Sequence, residues 1–157
     1  MKLIIGDKRW STWSMRPWLA LHRAGAAFEE IMVPLRQDAV TTEAILAAGS
    51  PSGFVPVLID GDLVINDSLA ICEYLAERFP AAKLWPRDVA ARALARAAAA
   101  EMHAGFTPVR RDLSMGVGAR HEVEIVEETA ATIRRIVALW RDDDDVPHVR
   151  VYRVRIP

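Results

Sequence analysis

Three places in the chain combine residue types suited to holding or activating a small molecule. The first is Val55-Pro56, in the stretch "SGFVPVLIDGDLVINDSLAICEYL" at 52–75. A proline at the mouth of a strand forfeits a ladder donor just where a sheet should gain one. It is either a plain edge feature or the site of a cis peptide bond, which would let Val55 offer its N–H and C=O to a ligand lying alongside as an extra strand. The second is Asp67-Ser68, where an apolar helix begins. Both residues are ordinary helix caps, worth roughly 1 kcal/mol. A helix N-terminus with free N–H groups and a hydroxyl also accepts a ligand carboxylate, and Asp67 suits an ammonium group. A ligand with both charges on one carbon has an α-amino acid end. The third is "RWSTWSMR" at 9–16, where Ser11 and Ser14 flank the entry to the first helix. By pattern Ser14 is the cap and Ser11 a loop residue. The alternative is that a serine hydroxyl donates to a thiolate near the helix end. Lowering a thiol pKa from about 8.5 to about 6.5 takes roughly 2.7 kcal/mol, which one charge-assisted hydrogen bond and the helix dipole together can supply.

The elements that must position these residues follow from periodicity and punctuation. "KLII" (2–5) reads as a first strand. "WSMRPWLALHRAGAAF" reads as a helix from about Ser14 to Gly25, with Pro17 in its first turn, an apolar face from Leu19 and Leu21 with Trp18 nearby, and Gly25 as C-terminal cap. "FEEIMVPL" (28–35) is a second strand and "TTEAILAAGSPSG" a short helix and loop. "PVLI" and "LVI" flank Asp60-Gly61, a hairpin signal. "DSLAICEYLAERF" closes the unit as a helix with Ile71, Leu75 and Phe79 four apart. The order βαβαββα predicts a right-handed parallel crossover, an added antiparallel hairpin, and helices covering a mixed four-stranded sheet.

"PAAKLWP" (80–86) reads as a linker, after which the pattern is helical only. The alanine-rich 87–106 and the segment 121–141 are two long helices, separated by the glycine-containing "MGVGAR". Residues 142–157 depart from that pattern. Four aspartates oppose the preceding helix dipole, and Val alternates with Arg after Pro147. There is no internal repeat. The expected organisation is therefore a domain at 1–80, a linker at 81–86, a helical domain at 87–141 and an atypical tail.

Bulk composition sets the outer limits. With 157 residues, 52% of them apolar, the chain can bury a real core. A net charge of −1 gives no general attraction to nucleic acid or to an anionic membrane. No apolar run reaches the roughly 20 residues of a transmembrane helix, and the N-terminus reads as a strand rather than a signal peptide. The single cysteine, Cys72, excludes an internal disulfide and fits a cytoplasmic setting. Inside its helix Cys72 reads as an inert core thiol. Arg92, Arg96 and Arg110 read as solvated helix charges, and His22 and His121 carry no specific signal.

The three chemical sites together resemble the cytosolic glutathione transferases. "FVPVLIDGDLVINDSLAICEYLAERFP" matches the second half of that family's thioredoxin-like domain, and "WSTWSMRPWLAL" is similar to the serine-type first-helix entry of zeta-like and related bacterial members. The resemblance spans roughly 1–141. It implies a thioredoxin-like α/β domain followed by an all-α C-terminal-like domain, with glutathione as co-substrate and no metal. It further implies that Val55 pairs with the cysteinyl main chain of glutathione, that Pro56 is its cis-proline, and that Asp67 with Ser68 holds the γ-glutamyl end. Trp13 and Phe54 join that binding set. Ser11 is implied as the activating serine, with Ser14 the second candidate. Trp10, Met102, His103 and Phe106 are candidates for the pocket of the second, electrophilic substrate, although on helical spacing Met102, His103 and Phe106 also read as plain core. A thioredoxin proper would need Cys-x-x-Cys where this chain has Ser-Thr-Trp-Ser, so dithiol–disulfide exchange is excluded.

Family members continue with several more helices beyond the position of residue 141, whereas 142–157 look unrelated to them; the expectation is a truncation or a shifted reading frame. Four outcomes follow: a transferase attacking a small electrophile, a glutathione-dependent isomerase, a module that binds glutathione without turnover, or a relic without function. The parent form is expected to be a homodimer.

Overall fold

The computed structural model describes residues 1–118 and 122–141; the tail at 142–157 and His121 lie outside them. By packing, these residues form two compact units, Met1–Gly105 with 114–118 and 122, and Phe106–Leu113 with 123–141.

The first unit holds β1 (Lys2–Gly6), α1 (Thr12–Ala24), β2 (Glu29–Val33), α2 (Ala39–Ala47), β3 (Val57–Asp60), β4 (Leu63–Asn66), α3 (Ser68–Arg78), one 3₁₀ turn (Pro80–Ala82) and α4 (Val89–Ala104). The sheet order is β2-β1-β3-β4, with β1 parallel to β2 and both β1–β3 and β3–β4 antiparallel. The expected mixed four-stranded sheet is thus present. Its central strands are apolar without interruption because both faces are covered. Leu3 and Ile5 point to one face and join Leu58, Leu21 of α1 and Ile71 and Leu75 of α3. Ile4 points to the other and joins Val57, Val33 and Ile45 of α2. The edge strands β2 and β4 are mostly exposed, as strands with one open side should be.

Several local expectations need correction. The first helix starts at Thr12 and its cap is Ser11, whose hydroxyl accepts the Ser14 N–H, so Ser14 is not the cap. Pro17 therefore falls in the second turn, where its missing N–H removes one helix bond; it is fully buried. Leu21 is fully buried but Leu19 is 51% exposed, because residues two apart on a helix point to opposite sides. In the hairpin Asp60 pairs with Leu63, so the two-residue loop is Gly61-Asp62, with Gly61 at φ +61°. Positive φ at the first loop position alone is the requirement of a type II′ turn, which favours glycine there. Arg96 and Arg92 are not simply solvated. Arg96 makes a two-pronged bond to Glu73 of α3 at 2.8 and 3.2 Å, and Arg92 donates to the carbonyls of Pro86 and Arg87.

α4 packs within the first unit, so that unit runs past the proline-bounded 81–86 segment. The second unit contains α5 (Thr107–Asp112), a short helix that the sequence pattern does not announce, and α6 (Glu127–Arg141), which begins several residues later than expected. Arg111 ties the pair together by bonding Glu128, and Thr129, fully buried, donates to Asp112. None of the described helices is long and apolar enough to cross a membrane.

Candidate functional site

A cleft of about 340 Å³ opens in the first unit where the loop before β3 meets the N-terminal ends of α1 and α3 and the last turn of α4. Of the residues singled out from sequence, Trp13, Phe54, Val55, Pro56, Asp67, Ser68 and His103 line it. The Val55–Pro56 bond is cis. Val55 lies just outside β3, and among the described residues neither its main-chain N–H nor its C=O is hydrogen-bonded. A strand-like main chain with open valences in a cleft wall can take another extended main chain.

Asp67 stands at the head of α3 with φ +78°, and its Oδ1 accepts the N–H groups of Leu69 and Ala70 at 2.8 and 3.1 Å. Its other oxygen faces His103 Nε2 at 3.1 Å. The Asp67 side chain remains 44% exposed, so a charged ligand group can reach it. Ser68 is 1% exposed, its hydroxyl 3.5 Å from Arg16 Nη1. Arg16 also lies 4.3 Å above the Trp13 ring and 3.4 Å from His103 Nδ1. The cleft therefore holds a carboxylate, an imidazole and the start of a helix, with the Arg16 guanidinium packed against its lining residues. That set fits a zwitterionic ligand end.

Sequence reasoning missed Ser52 and Asn66 as lining residues and gave Arg16 no role. Asn66 was findable as the neighbour of Asp67, and Arg16 as the residue one turn after Trp13.

The remaining candidates lie elsewhere. Ser11 and Ser14 are buried and line a separate cavity of about 170 Å³ with Ile5, Gly6, Lys8, Met15 and Trp18. The Ser11 hydroxyl donates to Ser14 Oγ at 2.8 Å, and Ser14 Oγ also accepts the Gly6 N–H at 3.0 Å. Trp10 sits under the Arg36 guanidinium at 4.2 Å and does not line the cleft. Met102 is 38% exposed. Phe106 is buried in the second unit, preceding α5 at φ +62°. Cys72, partly buried in α3, has its thiol pushed up to about 11 by burial, against the pull of Arg16, and is no nucleophile near neutral pH. Among the described residues no three His, Cys, Asp or Glu side chains converge to hold a metal ion.

Residues 10–78 match the family model described as the N-terminal domain of glutathione S-transferase. The chain is 42% identical over 98 residues to Glutathione S-transferase 1 of Dianthus caryophyllus, covering 62% of this chain and 43% of that one. It is 47% identical over 60 residues to a probable maleylacetoacetate isomerase of Vibrio cholerae, 38% of this chain and 28% of that one. Among solved structures, the theta class glutathione S-transferase of Xanthomonas axonopodis pv. citri, with glutathione bound, superimposes with a TM-score of 0.62 at 32% identity, covering 91% of this chain and 69% of that one. The chain spans less than half the length of these curated relatives.

Proposed function

The chain belongs to the glutathione S-transferase family, and from that premise we propose that it binds glutathione in the cleft between Val55 and Asp67 and activates its thiol for attack on a small electrophile. The observation that carries this is the unpaired main chain of Val55 in the cleft wall. An extended cysteinyl residue laid antiparallel to it would exchange two hydrogen bonds with Val55. Its γ-glutamyl end would then point at the head of α3, with the carboxylate toward Ser68 and the ammonium toward Asp67. Trp13 and Phe54 would border the peptide.

In the reaction the bound thiol loses its proton to solvent, and the thiolate is held by a hydroxyl at the start of α1. The sulfur lone pair forms a bond to an electrophilic carbon while the leaving group departs with its electrons. Ser11 is the assigned hydroxyl and Ser14 the second candidate. Trp10, Met102 and His103 are proposed for the acceptor side; Phe106, the remaining candidate, belongs to the second unit. Residues 1–80 act as the glutathione-binding domain, 81–86 as a linker and 87–141 as part of a helical domain. We place the protein in the cytoplasm, as a homodimer.

A second reading is favoured by one observation. The Ser11 hydroxyl is engaged by Ser14 outside the cleft, so a module that binds glutathione without turnover is the alternative. Capture on immobilised glutathione followed by a conjugation assay with an activated aryl halide separates the two. Capture with turnover supports the transferase, capture alone supports the binding module, and a folded protein that is not captured refutes both.

A further inference from the structure

His103 reaches the cleft from a different element than every other residue there. It stands in the last turn of α4, 36 positions after Asp67, yet its Nε2 lies 3.1 Å from Asp67 Oδ2. Its Nδ1 lies 3.4 Å from Arg16 Nη1. A guanidinium only donates hydrogen bonds. The ring nitrogen that faces it accepts in the Nε2–H tautomer, whose ring proton is directed at the carboxylate. The Trp13 ring, edge-on to His103 at 5.3 Å between centroids and stacked under Arg16, holds both partners from one side.

The effect on Asp67 is specific. One oxygen is committed to two amide N–H groups of α3, and the other accepts from the imidazole. These donors fix the carboxylate in direction, while its side chain stays 44% exposed and open to an incoming ammonium group. A lysine or arginine in place of His103 would hold the same rotamer but would compete with an incoming ammonium.

The geometry points to His103 as a positioning residue that orients Asp67 toward an ammonium group and so selects ligands that carry a free α-amino end. This rests on the glutathione reading, because glutathione supplies the ammonium. His103 thereby serves the amino end of the peptide, in addition to any contact with the second substrate.

The test uses the full chain and the variants His103→Leu and His103→Gln, titrated calorimetrically with glutathione and with its analogue lacking the α-amino group. His103→Leu is expected to weaken glutathione about tenfold, the worth of one hydrogen bond to a charged group, and to change the affinity of the deaminated analogue by less than about twofold. His103→Gln, whose amide can donate to Asp67 without adding charge, should recover most of the loss. Equal weakening of both ligands by His103→Leu, or no weakening of either, overturns the inference. Wild-type protein that binds neither ligand refutes the glutathione reading instead. In that case the imidazole ¹⁵N spectrum of wild type decides the remainder: an Nε2–H tautomer supports the orientation of Asp67 by His103, and an Nδ1–H tautomer overturns it.

Discussion

The Ser11 hydroxyl donates to the Ser14 hydroxyl across 2.8 Å, while the Ser14 amide donates back to Ser11 at 3.2 Å. The two serines form a closed pair in which Ser11 is at once the cap of α1 and the proposed activating group. Ser11→Ala should therefore do two separable things. Loss of the cap should cost about 1 kcal/mol, read as a lower denaturant midpoint. Loss of a two-unit thiol pKa depression should cut the thiolate fraction at pH 7 about 25-fold, and turnover with it, while glutathione affinity changes little. If turnover survives Ser11→Ala but is abolished by Ser14→Ala, the roles are reversed.

Ser14→Ala has a different structural consequence. It removes the acceptor for the buried Gly6 N–H, and an orphaned buried donor costs about 1–3 kcal/mol. Chemical denaturation should place Ser14→Ala at or below Ser11→Ala in stability.

Asp67 combines a structural and a proposed binding role, and Asp67→Asn separates them. Asparagine caps a helix as well as aspartate does and, like aspartate, is enriched among residues with the positive φ found at this position. The variant should keep a melting temperature within a few degrees of wild type, yet bind glutathione at least about tenfold more weakly, having lost a charge-assisted contact. Unchanged affinity would remove Asp67 from the binding site.

Leu21 and Leu19 give an internal control on packing. Leu21→Ala empties a fully buried position in the α1–α3 core and should cost about 2–5 kcal/mol. Leu19→Ala, at a half-exposed position, should fall within about 0.5 kcal/mol of wild type. Urea denaturation of both variants checks the assignment of the inner face of α1.

Cys72 should resist alkylation in folded protein at pH 7–8. Burial raises its pKa to about 11, so the reactive thiolate is scarce until the pH approaches that value. Because the folded pKa lies above the unfolded one, the protonated thiol favours the fold below about pH 9, and that contribution is lost as the pH rises through 11. Rapid labelling at pH 7.5, at the same rate as in urea, would show the thiol to be exposed instead.

The mixed four-stranded sheet was readable because local signals agreed: short apolar runs, a glycine-bearing hairpin, and Ile71 and Leu75 one turn apart. What failed was finer than the element or longer in range. "STWS" offers two good caps three residues apart, and the pattern could not choose between them. "TPVRRD" is too short to show helical periodicity, so α5 went unseen. Val55, Asp67 and Ser68 were legible as a group because they sit on one hairpin and the helix after it. The contact of His103 with Asp67 was not, since no local pattern states which residue of α4 meets the head of α3. Leu19 was misplaced by counting apolar residues without their angles.

If the main chain at Val55 and the head of α3 together receive glutathione, an ¹⁵N-HSQC titration of the full chain with glutathione shows it most directly. Saturable shifts are expected at the Val55 amide, at Asp67 and Ser68, and at the Trp13 indole. No saturation at millimolar glutathione, or shifts confined to residues outside that cleft, would contradict binding there.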